Sequence, residues 1–164
     1  MFASPKSIVL KQSNYALDIL QENGLLASKH MHFHMEQKLK LQPDLGKPVA
    51  DPCQYQRLIG RLFYLTVTWL DLSYLVQVLS QFIQDPRQPY LNVVVCILRY
   101  IKLSPSQGIF LPSTSALYLQ AYCDLDWASC PTTCRSTSGY VVFLSDSPVS
   151  WKSKKQVIVS RFST

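Results

Sequence analysis

From Gly108 onward the chain stops spacing its apolar residues for helices and begins to alternate them. Before that point Tyr55, Leu58, Ile59, Leu62, Phe63 and Leu65 recur at the spacing of one helical face. Leu72, Leu75, Val76 and Leu79 resume it after a break near Trp69-Leu70-Asp71. Asp85-Pro86 and Gln88-Pro89 close that helix and open a third over roughly 89–103, apolar nearly all round through Val93-Val94-Val95-Cys96-Ile97-Leu98. Then come Gly108-Ile109-Phe110-Leu111, Leu117 to Tyr122 and Gly139 to Leu144, which read as strands. Val149-Ser150-Trp151 and Gln156 to Ser160 read as a last pair, with Lys152-Ser153-Lys154-Lys155 as the turn between them. The sequence therefore predicts an α+β chain, a helical segment followed by an antiparallel sheet of three or four strands.

Ahead of the helices, Ser7-Ile8-Val9-Leu10-Lys11 is β-like, and Ser13 or Asn14 is placed to cap a helix over Tyr15 to Glu22 that stops at Asn23-Gly24. Residues 27–52 hold Pro43, Gly46, Pro48 and Pro52 with little periodicity and read as a linker. The expected division is 1–26, a linker over 27–52, a helical segment over 53–106 and a sheet over 107–164.

With 48% hydrophobic and 16% charged residues, the 164-residue chain has the material for a core. Its net charge of +6 favours anionic partners, nucleic acid first. The five cysteines, Cys53, Cys96, Cys123, Cys130 and Cys134, are odd in number and irregular in spacing, and nothing in them suggests a disulfide framework. Ile8-Val9-Leu10 is too short for a secretory signal, and no apolar run approaches ~20 residues. The expectation is an intracellular protein without a membrane partner. A Gly-rich phosphate loop is missing, as is a nucleophile elbow around Ser138-Gly139, so no small-molecule substrate is expected.

Two sets of residues carry chemistry. The strand ending at Asp124-Leu125-Asp126 brings two carboxylates to a sheet edge, where hard cations such as Mg²⁺ are held by oxygen ligands, about six in all. Asp126 also suits capping of the turn that follows. Lys152, Lys154, Lys155 and Arg161, with Trp151 and Phe162 among them, form a basic aromatic patch suited to a phosphate backbone; the alternative is a solvated hairpin turn. His30, His32 and His34 read as solvated loop residues, and Cys130 and Cys134 beside Cys123 lack a fourth zinc ligand at knuckle spacing.

Several of these segments resemble one family. Ala121-Tyr122-Cys123-Asp124-Leu125-Asp126-Trp127-Ala128 and Arg135-Ser136-Thr137-Ser138-Gly139-Tyr140 are similar to the opening of ribonuclease H in copia-type (Ty1/copia) retrotransposon Pol polyproteins. The likeness continues through Val149 to Gln156 and Val159 to Thr164. Tyr55-Gln56-Arg57-Leu58-Ile59-Gly60, Leu79-Ser80-Gln81-Phe82 and Leu98-Arg99-Tyr100-Ile101-Lys102 resemble the helical thumb and connection of the same polyproteins, and residues 7–20 resemble the strand and helix just after the palm. Where the family has Thr-Arg-Pro-Asp this chain has Thr68-Trp69-Leu70-Asp71, and Lys-Gly has become Lys102-Leu103.

The resemblance implies handling of RNA–DNA hybrid, with Asp124 at the position of the first Mg²⁺-binding, catalytic aspartate. It places the next acidic ligand just beyond Thr164, so the ribonuclease H domain is expected to be cut short and hydrolysis disabled. A chain continuing past Thr164 is expected to be an active ribonuclease H. An inert relic or protein-interaction module is the remaining alternative. The paired polymerase aspartates are missing. The family is abundant in plant genomes and has similar fragments in plant mitochondrial DNA, which implies cytoplasm or nucleus, with mitochondrial encoding open.

Overall fold

A computed structural model describes residues 2–33, 45–114, 116–126 and 135–159 of the chain. It divides into two compact units, Leu10–Gly108 and the described residues of Met1–Val9 with Ile109–Thr164. With four α-helices and two three-stranded sheets among the described residues, the fold is α+β.

The helical unit is built from α1 (Ser13–Glu22), α2 (Pro52–Leu65), a 3-10 turn over Leu70–Leu72, α3 (Ser73–Ser80) and α4 (Gln88–Leu103). Local chemistry fixes where α2 begins. The Asp51 carboxylate accepts the Gln54 N–H at 3.1 Å, and Pro52, which has no N–H to lose, occupies the first turn. Its apolar face buries Tyr55, Leu58, Ile59, Leu62 and Leu65. These meet Ala16, Ile19 and Leu20 of α1, Leu75, Val76 and Leu79 of α3 and Tyr90, Val93, Val94, Ile97, Leu98 and Ile101 of α4 in one core. Inside it the Tyr55 hydroxyl donates to the Leu79 carbonyl at 2.8 Å.

Two local expectations are corrected. The first helix is capped by neither Ser13 nor Asn14; Gln12 precedes it and makes no side-chain cap. Instead the Gln12 side chain donates to the Tyr64 carbonyl at 3.3 Å and accepts the Thr68 hydroxyl at 2.7 Å, so the start of α1 is set from the end of α2. The third helix is one-faced rather than apolar all round in use, with Val95 and Cys96 only half-buried. The residues read as a linker are anchored near both ends, through Met31 N–H to Arg99 O at 3.2 Å and Val49 N–H to Pro86 O at 3.0 Å. At Asn23-Gly24 the stop is as expected. Gly24 has φ +66°, and the Leu25 N–H returns to the Leu20 carbonyl at 2.9 Å.

The break in the second helix has a physical reason. Trp69, standing where the family has arginine, is wholly buried and meets Tyr100 edge-on at 6.0 Å. Asp71, two residues on, accepts the Tyr100 hydroxyl at 2.6 Å and the Gln107 amide at 3.4 Å. Burial, reinforced by Asp71, raises the Tyr100 pKa to about 12.

The strands form two sheets. One has the order β1 (Phe2–Ser4), β2 (Ser7–Lys11), β3 (Gly108–Pro112); the other is β4 (Leu119–Asp126), β5 (Arg135–Leu144), β6 (Ser147–Val159). Neighbours in the second sheet are antiparallel. Its β5–β6 hairpin turns at Ser145-Asp146. There Ser145 takes φ +56°, and its N–H is held by the Tyr118 carbonyl at 2.8 Å and its hydroxyl by the Ala116 carbonyl. The expected final pair of strands is one continuous strand of 13 residues, so Lys152-Ser153-Lys154-Lys155 is not a hairpin turn. Backbone pairing with β5 explains this, since Tyr140, Gly139, Ser138 and Thr137 each stand opposite one of those four residues.

Candidate nucleic-acid interface

Because successive side chains of a strand point to opposite faces, the register of β4-β5-β6 sorts the sequence-predicted site residues. One face carries the rows Asp126–Thr137–Lys155, Asp124–Gly139–Ser153 and Tyr122–Val141–Trp151. The other carries Leu125–Ser138–Lys154 and Cys123–Tyr140–Lys152. The basic patch read as one cluster is thus divided. Lys152 and Lys154 are exposed together on one face, whereas Trp151 and Lys155 are half-buried on the face of the two aspartates. Arg161 and Phe162 lie outside the described residues, as do Trp127, Cys130, Cys134 and His34.

Asp124 and Asp126 are both exposed, two positions apart on one strand, with Cα atoms ~7 Å apart. Asp126 is the last residue of β4, paired with Thr137. Among the described residues no group of three His, Cys, Asp or Glu side chains converges, here or at His30 and His32, whose rings meet edge-on at 5.3 Å. Two exposed carboxylates supply too few oxygens to enclose Mg²⁺, so the described donor set does not fit a resident ion.

The lysine face is better organised. Tyr140, 45% exposed, stands directly opposite Lys152. Two residues along, Ser138 donates to the Lys154 carbonyl at 3.4 Å and accepts the Gln156 amide at 2.6 Å, which fixes the strand that carries the cations. On the aspartate face Tyr122 meets Phe143 edge-on at 6.0 Å. Reading residues by type alone misses Tyr140 and Tyr122 as members of these surfaces. The signal for them is positional, in the alternation of β4 and β5, and it becomes useful once β6 is taken as a single strand. Among the described residues no helix is long and apolar enough to cross a membrane.

The chain is 40% identical over 160 residues to the retrovirus-related Pol polyprotein from transposon RE2 of Arabidopsis thaliana, a match covering 98% of this chain and 11% of that protein. The corresponding polyprotein from transposon RE1 matches with the same identity and coverage. An uncharacterized mitochondrial protein of the same plant is 37% identical over 160 residues, 98% of this chain and 66% of its own length. No family model and no solved structure matches the chain. The chain spans about a tenth of the length of the two transposon polyproteins (11%), and along nearly all of its own length it belongs to the copia-type, retrovirus-related Pol polyproteins of transposons.

Proposed function

We propose that the chain is a nucleic-acid-handling segment of such a polyprotein. In this reading it grips the backbone of an RNA–DNA hybrid with the β5–β6 ribbon and does not cut it. The observation that carries this is the joint exposure of Lys152 and Lys154 on one face of β6, with Tyr140 opposite Lys152. Cations at alternate positions of a strand meet successive phosphates of a strand laid along them, and an exposed ring beside them offers a stacking surface. The net charge of +6 draws any polyanion towards the chain, and the lysine pair gives that attraction a direction.

Asp124 and Asp126 occupy the other face, so the carboxylates do not repel a backbone held by Lys152 and Lys154. We assign Asp124 as a vestigial Mg²⁺ ligand. Two-metal hydrolysis takes several carboxylates converging on one site, and the described residues bring only Asp124 and Asp126 to this face.

The test is a titration of labelled RNA–DNA hybrid at several salt concentrations. Affinity is expected to fall steeply with salt. The variant Lys152→Glu/Lys154→Glu is expected to bind more weakly, its log K against log salt slope shallower by roughly 1.8, the share of two phosphate contacts. Lys155→Glu, on the opposite face, is expected to change the slope by less. Unchanged binding in Lys152→Glu/Lys154→Glu contradicts the assignment. Mg²⁺-dependent cleavage that disappears in Asp124→Asn contradicts the non-hydrolytic reading.

A further inference from the structure

The end of α1 and one stripe of α2 enclose a cleft of about 150 Å³, lined by Glu22, Asn23, Gln54, Arg57, Leu58 and Arg61. The four α2 residues recur at i, i+3, i+4 and i+7, which places them on one helical face. Both helices belong to Leu10–Gly108, so the cleft lies within one compact unit. None of its residues takes part in the nucleic-acid grip proposed above.

The two guanidinium groups on this face differ. Arg61 is fixed: it is ion-paired to Glu22 and lies over the Tyr15 ring, 5.3 Å from its centroid. Arg57, one turn earlier, is exposed and makes no hydrogen bond or ion pair among the described residues. The backbone nearby explains why. The carbonyls that a cation at the end of α1 would take are already bonded. Ile19 O holds the Asn23 amide at 2.7 Å, Leu20 O the Leu25 N–H at 2.9 Å and Gln21 O the Gly24 N–H at 3.0 Å. The Gln54 side chain, half-buried on the same stripe, likewise has no partner among the described residues.

Size and charge decide what such a cleft holds. At ~30 Å³ per water it has room for roughly five waters, well below the ~300–1,000 Å³ of a site for a whole cofactor. It therefore takes one small group. Glu22 neutralises Arg61, which leaves the single charge of Arg57 to be balanced. A carboxylate carries one charge, and its two oxygens match the guanidinium fork. A polyanion is opposed by the surrounding acids. Asp18, one turn before Glu22 on α1, is exposed, as is Asp51, which accepts the Gln54 N–H at 3.1 Å.

We propose that this cleft is a carboxylate-binding site. Arg57 grips both oxygens, the Gln54 amide donates to one of them, and the Arg61–Glu22 pair holds the wall rigid. The carboxylate belongs to a small free acid or to an acidic side chain of a peptide.

The experiment follows the arginine Nε–H and side-chain amide resonances of the full chain by NMR, as sodium acetate replaces sodium chloride at constant ionic strength. Saturable shifts at Arg57, Arg61 and Gln54 are expected, with a millimolar Kd, as suits a ligand of so few atoms. In Arg57→Gln the shifts at Arg61 and Gln54 are expected to stop saturating. The backbone amides outside the cleft should keep their positions in that variant, because Arg57 is exposed. Arg57→Lys, a point charge in place of a fork, is expected to bind several-fold more weakly. Glu22→Gln removes the carboxylate that the ligand meets and frees Arg61, so it is expected to bind several-fold more tightly. Repeating the titration with N-acetyl-glutamate amide separates the sources. Tighter binding than acetate assigns the site to a peptide's acidic side chain, and equal or weaker binding to a free acid. Shifts that never saturate, or that saturate equally in Arg57→Gln, overturn the proposal. So does RNA–DNA hybrid moving the same resonances ahead of acetate, which would make the cleft a phosphate contact.

Discussion

In Leu10–Gly108, Tyr55, Trp69, Leu72 and sixteen further apolar side chains are buried in one core. In the other unit the buried residues among those described are Ile109, Ser136, Ser145 and Ser147, while Leu117, Leu119 and Val157 are 84%, 72% and 72% exposed. The contrast follows from how the two kinds of element close their hydrogen bonds. A helix satisfies its backbone internally and needs only a cover for one stripe of side chains, which α1 to α4 give one another. A three-stranded sheet has two edges and two faces, and its own residues leave them uncovered. The helical unit therefore holds the buried core, and the sheet is the surface we propose for contact with nucleic acid.

The sharpest way to break this comparison is to cut each unit in turn. Trp69→Ala empties the largest fully buried side chain and is expected to cost about 3–5 kcal/mol in urea unfolding. A loss under about 1 kcal/mol would show that the helical core does not carry the fold. Tyr55→Phe removes the buried hydroxyl bonded to the Leu79 carbonyl. That carbonyl keeps the Phe82 N–H at 3.1 Å, so the loss is expected to be only about 1 kcal/mol by the same measurement.

A pH series sharpens the comparison further. Tyr100 holds its proton more tightly folded, at a pKa of about 12 through burial and the Asp71 bond, than unfolded, near the usual 10. Its contribution is complete below pH 10 and is lost as pH rises through 12, because the unfolded chain then releases the proton more readily. The unfolding midpoint should fall across that window, and less so in Tyr100→Phe. A Tyr100→Phe profile identical to wild type contradicts this role. The smallest effects are expected in the sheet. Leu119→Thr and Val157→Thr should each stay within about 0.5 kcal/mol, and a larger loss would mean that the strand faces are covered.

The residues of the helical unit announced much of this arrangement, because the period of Tyr55 to Leu79 depends on neighbours within a few positions. Where distant residues decide, the reading failed. Gln12 sets the start of α1 through Tyr64 and Thr68, more than fifty positions away (52 and 56). Lys152-Ser153-Lys154-Lys155 looked like a turn because it is polar and cationic, although it lacks the Gly, Pro, Asn or Asp that turns favour; the hairpin falls at Ser145-Asp146. The chemistry of the candidate site was legible as residue types, two aspartates and a basic patch. Its geometry was not, because a strand's parity cannot be assigned before its partner and register are known.

The most direct test of the account is hydrogen exchange on the full chain, with and without RNA–DNA hybrid. Alone, amides of α2 and α4 should exchange slowly and those of β4 to β6 far faster, as core and uncovered surface require. With hybrid, new protection should appear in β5 and β6 around Tyr140, Lys152 and Lys154 and leave the helical unit unchanged. Equal protection in both units, or hybrid-induced protection confined to the helices, would contradict the division between a core that holds the chain together and a sheet that grips nucleic acid.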